Sequence, residues 1–176
     1  MANPNQPSRK EFLYLDDLLV GQRFISGTYL IDEEQIKAFA KQFDPQPFHL
    51  DTEAAKETLF EGLVASGWHT AAISMRLLVE RLPVAGGIVG AGGEIAWPKP
   101  TRPGATLHVE SEVLELRPSR SRPDRGMATI RGETVNQLGE VVQVLTAKLV
   151  VPRRTPTAAL MEENVTRRVD GGATQI

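Results

Sequence analysis

Between Gly67 and Leu82 the chain carries Ala71, Ala72, Ile73, Met75, Leu77, Leu78 and Val79, and Pro83 closes the stretch. Wound as a helix, this segment is apolar on nearly every side, and a helix of that kind is buried rather than laid on a surface. It is too short to cross a bilayer, which takes roughly 18 uninterrupted apolar residues, and Arg76 breaks it further. Something else in the chain must therefore wrap it.

The segment that follows supplies the wrapping. From Gly87 to Pro152 the pattern is strands and turns. Leu107, Val109, Ser111 and Val113 alternate with His108, Glu110 and Glu112, the period of a half-buried strand. Val141, Leu145, Ala147, Leu149 and Val151 form one face of a last strand, with turn chemistry from Asn136 to Gly139 ahead of it. Upstream, Ile36, Phe39, Ala40 and Phe43 make the apolar stripe of an amphipathic helix over 32–43, with Asp32 and Gln35 as a capping box and Pro45 as its stop. Asp51 or Thr52 caps a short helix through Lys56. This order gives an α+β class: a hot-dog fold, with an antiparallel sheet wrapped around one long central helix. Such a sheet covers one face of the helix and leaves open edges, so a homodimer or higher homo-oligomer is expected. The expected domain runs over 11–154, between a polar arm at 1–10 and a tail at 155–176.

Composition narrows the function classes. With 20 basic and 22 acidic residues the net charge is −2, which gives no general pull toward nucleic acid or an anionic membrane. There is no cysteine, so disulfides, thiolate metal sites and cysteine nucleophiles are excluded. The polar start, Met1 to Lys10, has no apolar core of a secretory signal, and a cytoplasmic protein is the expectation. Three scattered histidines make a structural metal site unexpected.

The segment Asp44-Pro45-Gln46-Pro47-Phe48-His49-Leu50-Asp51 is the most unusual in the chain. Its prolines fix φ at alternate positions and restrict the residues before them. The result is a stiff connector bearing a carboxylate and an imidazole. Paired, these two groups hold a general base in orientation near neutral pH. The plain alternative is that Asp44 caps a turn and His49 fills a half-buried pocket; an extended connector would span roughly 17 Å.

These residues, followed by Ala54, Ala55, Phe60 and Gly62-Leu-Val-Ala-Ser-Gly67, resemble the MaoC-like dehydratase family, which includes (R)-specific enoyl-CoA hydratases. The likeness extends over roughly 16–151, through Pro100, Gly104 and Leu107. It implies a hydro-lyase that reversibly hydrates a 2-enoyl thioester to the (R)-3-hydroxyacyl form. Asp44 and His49 match the family's catalytic pair, and Gly67 the glycine whose N–H binds the thioester oxygen. A helix start independently suits that role, because its first N–H groups lack internal partners and the helix dipole adds positive potential. Gln46 stands where hydratases commonly carry asparagine and Ser66 where they commonly carry histidine, so both are placed among the substrate-binding residues. Ser74, inside the long helix, and Trp68, beside Gly67, are further candidates for binding. Trp68 and His69 alike either line the acyl pocket or pack the helix entrance, packing being preferred for each, and His108 is expected to face outward.

Two other features compete for attention. Gly86-Gly87-Ile88-Val89-Gly90-Ala91-Gly92-Gly93 invites a nucleotide-binding reading, but Ile95 replaces the third glycine and Pro98 and Pro100 forbid the helix that must follow. Glycines permitting close approach of a strand to the buried helix explain it better. The run from Arg117 to Arg125 holds four arginines; Arg120 and Arg122 are candidates to grip the phosphates of coenzyme A, and otherwise the run is a solvated loop. No cofactor is expected beyond the coenzyme A or acyl-carrier thioester that serves as substrate. Two rival functions remain. One is a hot-dog thioesterase, for which Glu80 is the one acidic residue of the long helix; the other is a non-catalytic module that binds acyl thioesters.

Overall fold

The computed structural model describes residues 12–154, so the expected arm at 1–10 and tail at 155–176 lie outside the described residues. After a 3-10 turn at Leu15–Asp17 come two short strands, β1 (Arg23–Ile25) and β2 (Tyr29–Ile31). Four helices follow: α1 (Glu33–Phe43), α2 (Pro47–Leu50), α3 (Thr52–Lys56) and α4 (Gly67–Arg81). Four strands complete the fold: β3 (Val89–Ala96), β4 (Ala105–Pro118), β5 (Arg125–Val135) and β6 (Val141–Pro152). The sheet runs β1-β4-β5-β6-β3, and β2 pairs with another stretch of β4. All its pairings are antiparallel. This is the hot-dog arrangement, with α4 as its central helix.

Local chemistry sets the helix starts. The Asp32 carboxylate accepts from Gln35 N at 2.8 Å while the Gln35 side chain accepts from Asp32 N at 3.0 Å, a complete capping box for α1. Asp51, rather than Thr52, caps α3 by accepting from the amides of Glu53 and Ala54. Ser66 caps α4, its hydroxyl accepting from Trp68 N at 3.2 Å.

Ile73 and Leu77 of α4 pack into Leu107 and Val109 of β4 and Val142 of β6, all buried. A second cluster at the other end joins Leu82, Val113, Ile130 and Val151. Together these stabilise the helix–sheet seam by roughly 1.5–3 kcal/mol per fully buried side chain.

Three expectations need correction. The helix α4 is not buried all round: Trp68 is 62%, Met75 43% and Val79 52% exposed, and with Ala72 they form one stripe along its outer face. A single sheet covers only one side of a helix, which leaves that stripe bare. The glycines of β3 do not serve approach to the helix. A Cβ on Gly93 would fall 2.5 Å from Thr146 O, so the close neighbour is the backbone of β6. Finally, the face of β6 is not one continuous alternation. A bulge where Val135 pairs with Val141 and Thr134 with Gln143 buries Val142 and Gln143 in succession.

Candidate active site

The connector after α1 is not extended. Pro47 takes the first position of α2, where its missing N–H costs nothing, and the chain makes a single helical turn. That turn carries His49 back toward Asp44: the Nε2 to Oδ2 distance is 3.3 Å. The imidazole is buried, and the carboxylate retains partial access to solvent.

The environment of each group is specific. His49 Nδ1 lies 2.8 Å from Val64 O. A carbonyl can only accept, so Nδ1 carries the proton and a neutral ring presents a lone pair at Nε2. Gln46 Nε2 donates to Asp44 Oδ1 at 2.7 Å. Burial works to raise the Asp44 carboxyl, but hydrogen bonds from Ser66 and Gln46 oppose it, and so do the charge and hydrogen bond that His49 offers when its ring is protonated. The carboxyl is held below its ordinary 3.8. Ser66, itself buried, thus serves both the helix start and the carboxylate.

Gly67 opens α4 beside this pair. Among the described residues nothing accepts from its N–H, as the geometry of a helix start dictates. The indole of Trp97 lies directly over it: a Cβ on Gly67 would come within 2.7 Å of Trp97 Cε2. Trp97 is held in turn by its Nε1–H, which donates to the buried Gln143 Oε1 at 3.0 Å, and it meets Trp68 edge-on at 5.4 Å.

Asp44, Gln46, His49, Gly67 and Trp68 all line one cavity of about 620 Å³. Phe48, Phe60 and Trp97 give it apolar walls, and Lys99 and Arg102 also line it. Such a volume suits a small-molecule site with few polar groups at one end.

Other candidates lie elsewhere. Ser74 is buried with its hydroxyl 2.7 Å from Thr70 O and 2.6 Å from Thr134 Oγ1, a link between helix and sheet outside the cavity. Arg120 lines a separate hollow with Arg117, Arg125 and Met127, and Arg122 sits in the same turn, so neither reaches the Asp44–His49 cavity within one chain. His69 is buried and stacks on Phe39 at 4.5 Å. His108 pairs with Glu110 at 3.1 Å.

Sequence reasoning did not find Trp97, Gln143 or Arg102. The signal was present for two of them: Trp97 and Arg102 flank a run of prolines at 98 and 100, with Pro103 beyond, the same bracing that marks Asp44 and His49. Gln143 gave none, because only the bulge in β6 turns it inward.

Fold and site together are those of a hot-dog protein with a carboxylate and an imidazole paired beside the start of its central helix. A family model, the MaoC-like domain, matches residues 20–136, and the chain belongs to the MaoC-like dehydratase family. It is 62% identical to a MaoC-like dehydratase of Rhodospirillum rubrum, with a TM-score of 0.80 covering 81% of this chain and 99% of that one. It is 36% identical over 126 residues to an uncharacterized protein, YdeM, of Bacillus subtilis, covering 70% of this chain and 87% of the relative. It is also 29% identical over 130 residues to a 3-hydroxybutyryl-CoA dehydratase of Methylorubrum extorquens, covering 74% and 82% respectively.

Among the described residues no helix is long and apolar enough to cross a membrane.

Proposed function

We propose that the protein is a hydro-lyase acting on a 2-enoyl thioester, with Asp44 and His49 handling the proton and Gly67 N–H receiving the thioester oxygen. The observation that carries this reading is the 3.3 Å approach of Nε2 to Oδ2 in a cavity that Gly67, the first residue of α4, also lines. Two acceptors so close are satisfied by a water that donates one hydrogen to each. The water oxygen bonds to C3 of the substrate as one of its protons passes to His49 Nε2. The displaced π electrons move through C2 onto the thioester oxygen, and C2 then takes a proton from the imidazolium. The electrons balance, and water adds across the double bond.

Imidazole is the stronger base of the two group types, and the depressed Asp44 carboxyl stays ionised to stabilise the imidazolium that forms. Positioned acid–base help of this sort supplies about 10²–10⁴-fold, and a backbone donor on the enolate oxygen a further 10²–10³-fold. The bare stripe of α4 is an apolar surface that a second copy of the chain would cover, which favours a homodimer.

Asp44→Asn and His49→Ala should each lower turnover of crotonyl-coenzyme A at least about a hundredfold while far-UV circular dichroism stays unchanged. Full activity in either variant ends the mechanism. Release of free thiol in place of hydration would instead mark a thioesterase. Against that rival, Glu80 pairs with Arg76 at 3.2 Å and lines a different hollow, away from Gly67. Binding of enoyl and hydroxyacyl thioesters without any turnover would identify a binding module.

A further inference from the structure

Two cations line the cavity, and their circumstances differ. Lys99 is engaged, its Nζ 2.6 Å from Glu140. Arg102 has no carboxylate partner among the described residues; its one hydrogen bond runs from Nη2 to Phe60 O at 2.7 Å. A guanidinium has five N–H donors, so most of its capacity is unspent.

The arginine is also held in place. Ala65 N donates to Thr101 O at 2.8 Å, and Ala105 N donates to Arg102 O at 3.1 Å. Thr101 is buried and accepts from Thr70 Oγ1 at 3.0 Å. The backbone on either side of Arg102 is thus tied to the start of α4 and to β4. The side chain passes Gly62, where a Cβ would meet Nη1 at 3.4 Å, an ordinary van der Waals contact. From His49 the cavity wall continues through Phe48, at 4.5 Å between rings, to Phe60, at 5.1 Å, whose carbonyl holds Arg102. A ligand following this wall meets the reacting pair, then an apolar face, then a fixed positive charge.

We infer that Arg102 is the anion-recognition group of this cavity, taking an oxyanion of the substrate that lies beyond its apolar part. Phosphate on the carrier arm and a carboxylate on the acyl chain share that chemistry, and both suit the planar fork of a guanidinium. The inference rests on the thioester reading of the cavity, but its test does not depend on turnover.

Three unreactive thioethers serve as probes: S-butyl-coenzyme A, S-butyl-pantetheine and S-(3-carboxypropyl)-pantetheine. Binding to the full chain is read by calorimetry and by quenching of the tryptophans that line the cavity. Arg102→Gln should weaken one or both anionic probes by roughly tenfold and leave neutral S-butyl-pantetheine unchanged. Loss confined to the coenzyme A probe assigns the anion to phosphate; loss confined to the carboxylated probe assigns it to the acyl chain. Arg102→Lys should recover part of the loss, since charge remains without the fork. Equal weakening of all three probes would reduce Arg102 to a structural tether of Phe60 and overturn the inference. So would no weakening of any probe, or no binding of either anionic probe by the parent protein. Parent protein that binds the probes yet does not hydrate crotonyl-coenzyme A leaves Arg102 as inferred and removes the hydro-lyase reading alone.

Discussion

Replacing Gly67 by alanine tests the most tightly specified contact in the site. The new methyl would stand 2.7, 2.9 and 3.1 Å from Cε2, Cδ2 and Cζ2 of Trp97, all well inside van der Waals contact. Two responses are open. If the indole stays, the overpacking costs about 1–3 kcal/mol. If it retreats, it gives up the 3.0 Å bond to Gln143, and a buried amide oxygen left without its partner costs about 1–3 kcal/mol. These are alternatives, so they do not add. Alanine in a helix recovers up to about 1 kcal/mol over glycine. The net loss is then about 1–2 kcal/mol, which moves a urea midpoint by on the order of 0.5–1 M. In a Trp97→Phe background the smaller ring relieves the clash, and the same substitution becomes neutral or slightly stabilising. A double-mutant cycle in urea should therefore show coupling of about 1 kcal/mol or more between positions 67 and 97. An identical penalty in both backgrounds would refute the steric account of this glycine.

Ser66→Ala removes one of the hydrogen bonds that keep Asp44 ionised, so the carboxyl rises and the acid limb of the activity–pH profile should move to higher pH; an unmoved limb, with the cap loss of about 0.5–2 kcal/mol still seen, would detach Ser66 from the chemistry. Burial lowers His69 from its ordinary 6.5, so the unfolded chain takes up a proton that the folded chain refuses. The contribution of His69 is complete above 6.5 and declines as pH falls below it; His69→Phe, which keeps the stacking on Phe39, should flatten that decline in urea midpoints between pH 8 and 5.5, and an unchanged slope would place its origin elsewhere. Val79→Glu puts a charge in the bare stripe of α4 and should yield a monomer in sedimentation velocity, with helicity retained; a parent chain already monomeric at micromolar concentration would show that no second copy covers it.

Much of the architecture could be read from residue order. The apolar run after Gly67, the alternation around Leu107 and the capping pattern at Asp32 each sit where a helix or strand forms, because each is a local rule acting on neighbours. The proximity of Asp44 and His49 was half legible: prolines mark the stiff segment, but only the turn with Pro47 at its head converts spacing into a 3.3 Å approach. What escaped is set by distant chain. Trp97 covers Gly67 from a distant stretch of chain, and Gln143 meets Trp97 through a strand bulge that no alternation pattern reveals. The arginine run at 117–125 drew notice by density of charge, while the cations that line the Asp44–His49 cavity are Lys99 and Arg102, outside any such run. Density of charge measures solvation more readily than function.

The union of Ala65 N with Thr101 O, at 2.8 Å, joins two stretches of chain that have separate duties. Residues 44–67 hold every group assigned to moving protons, whereas 97–102 supply a wall and a charge. Because the seam is main chain to main chain, it does not itself depend on which side chains the later stretch carries, whereas Trp97 over Gly67 and Arg102 on Phe60 O are side-chain ties. Substitutions near Trp97 and Arg102 would therefore alter the wall and the charge of the cavity while the Ala65–Thr101 seam stays in place.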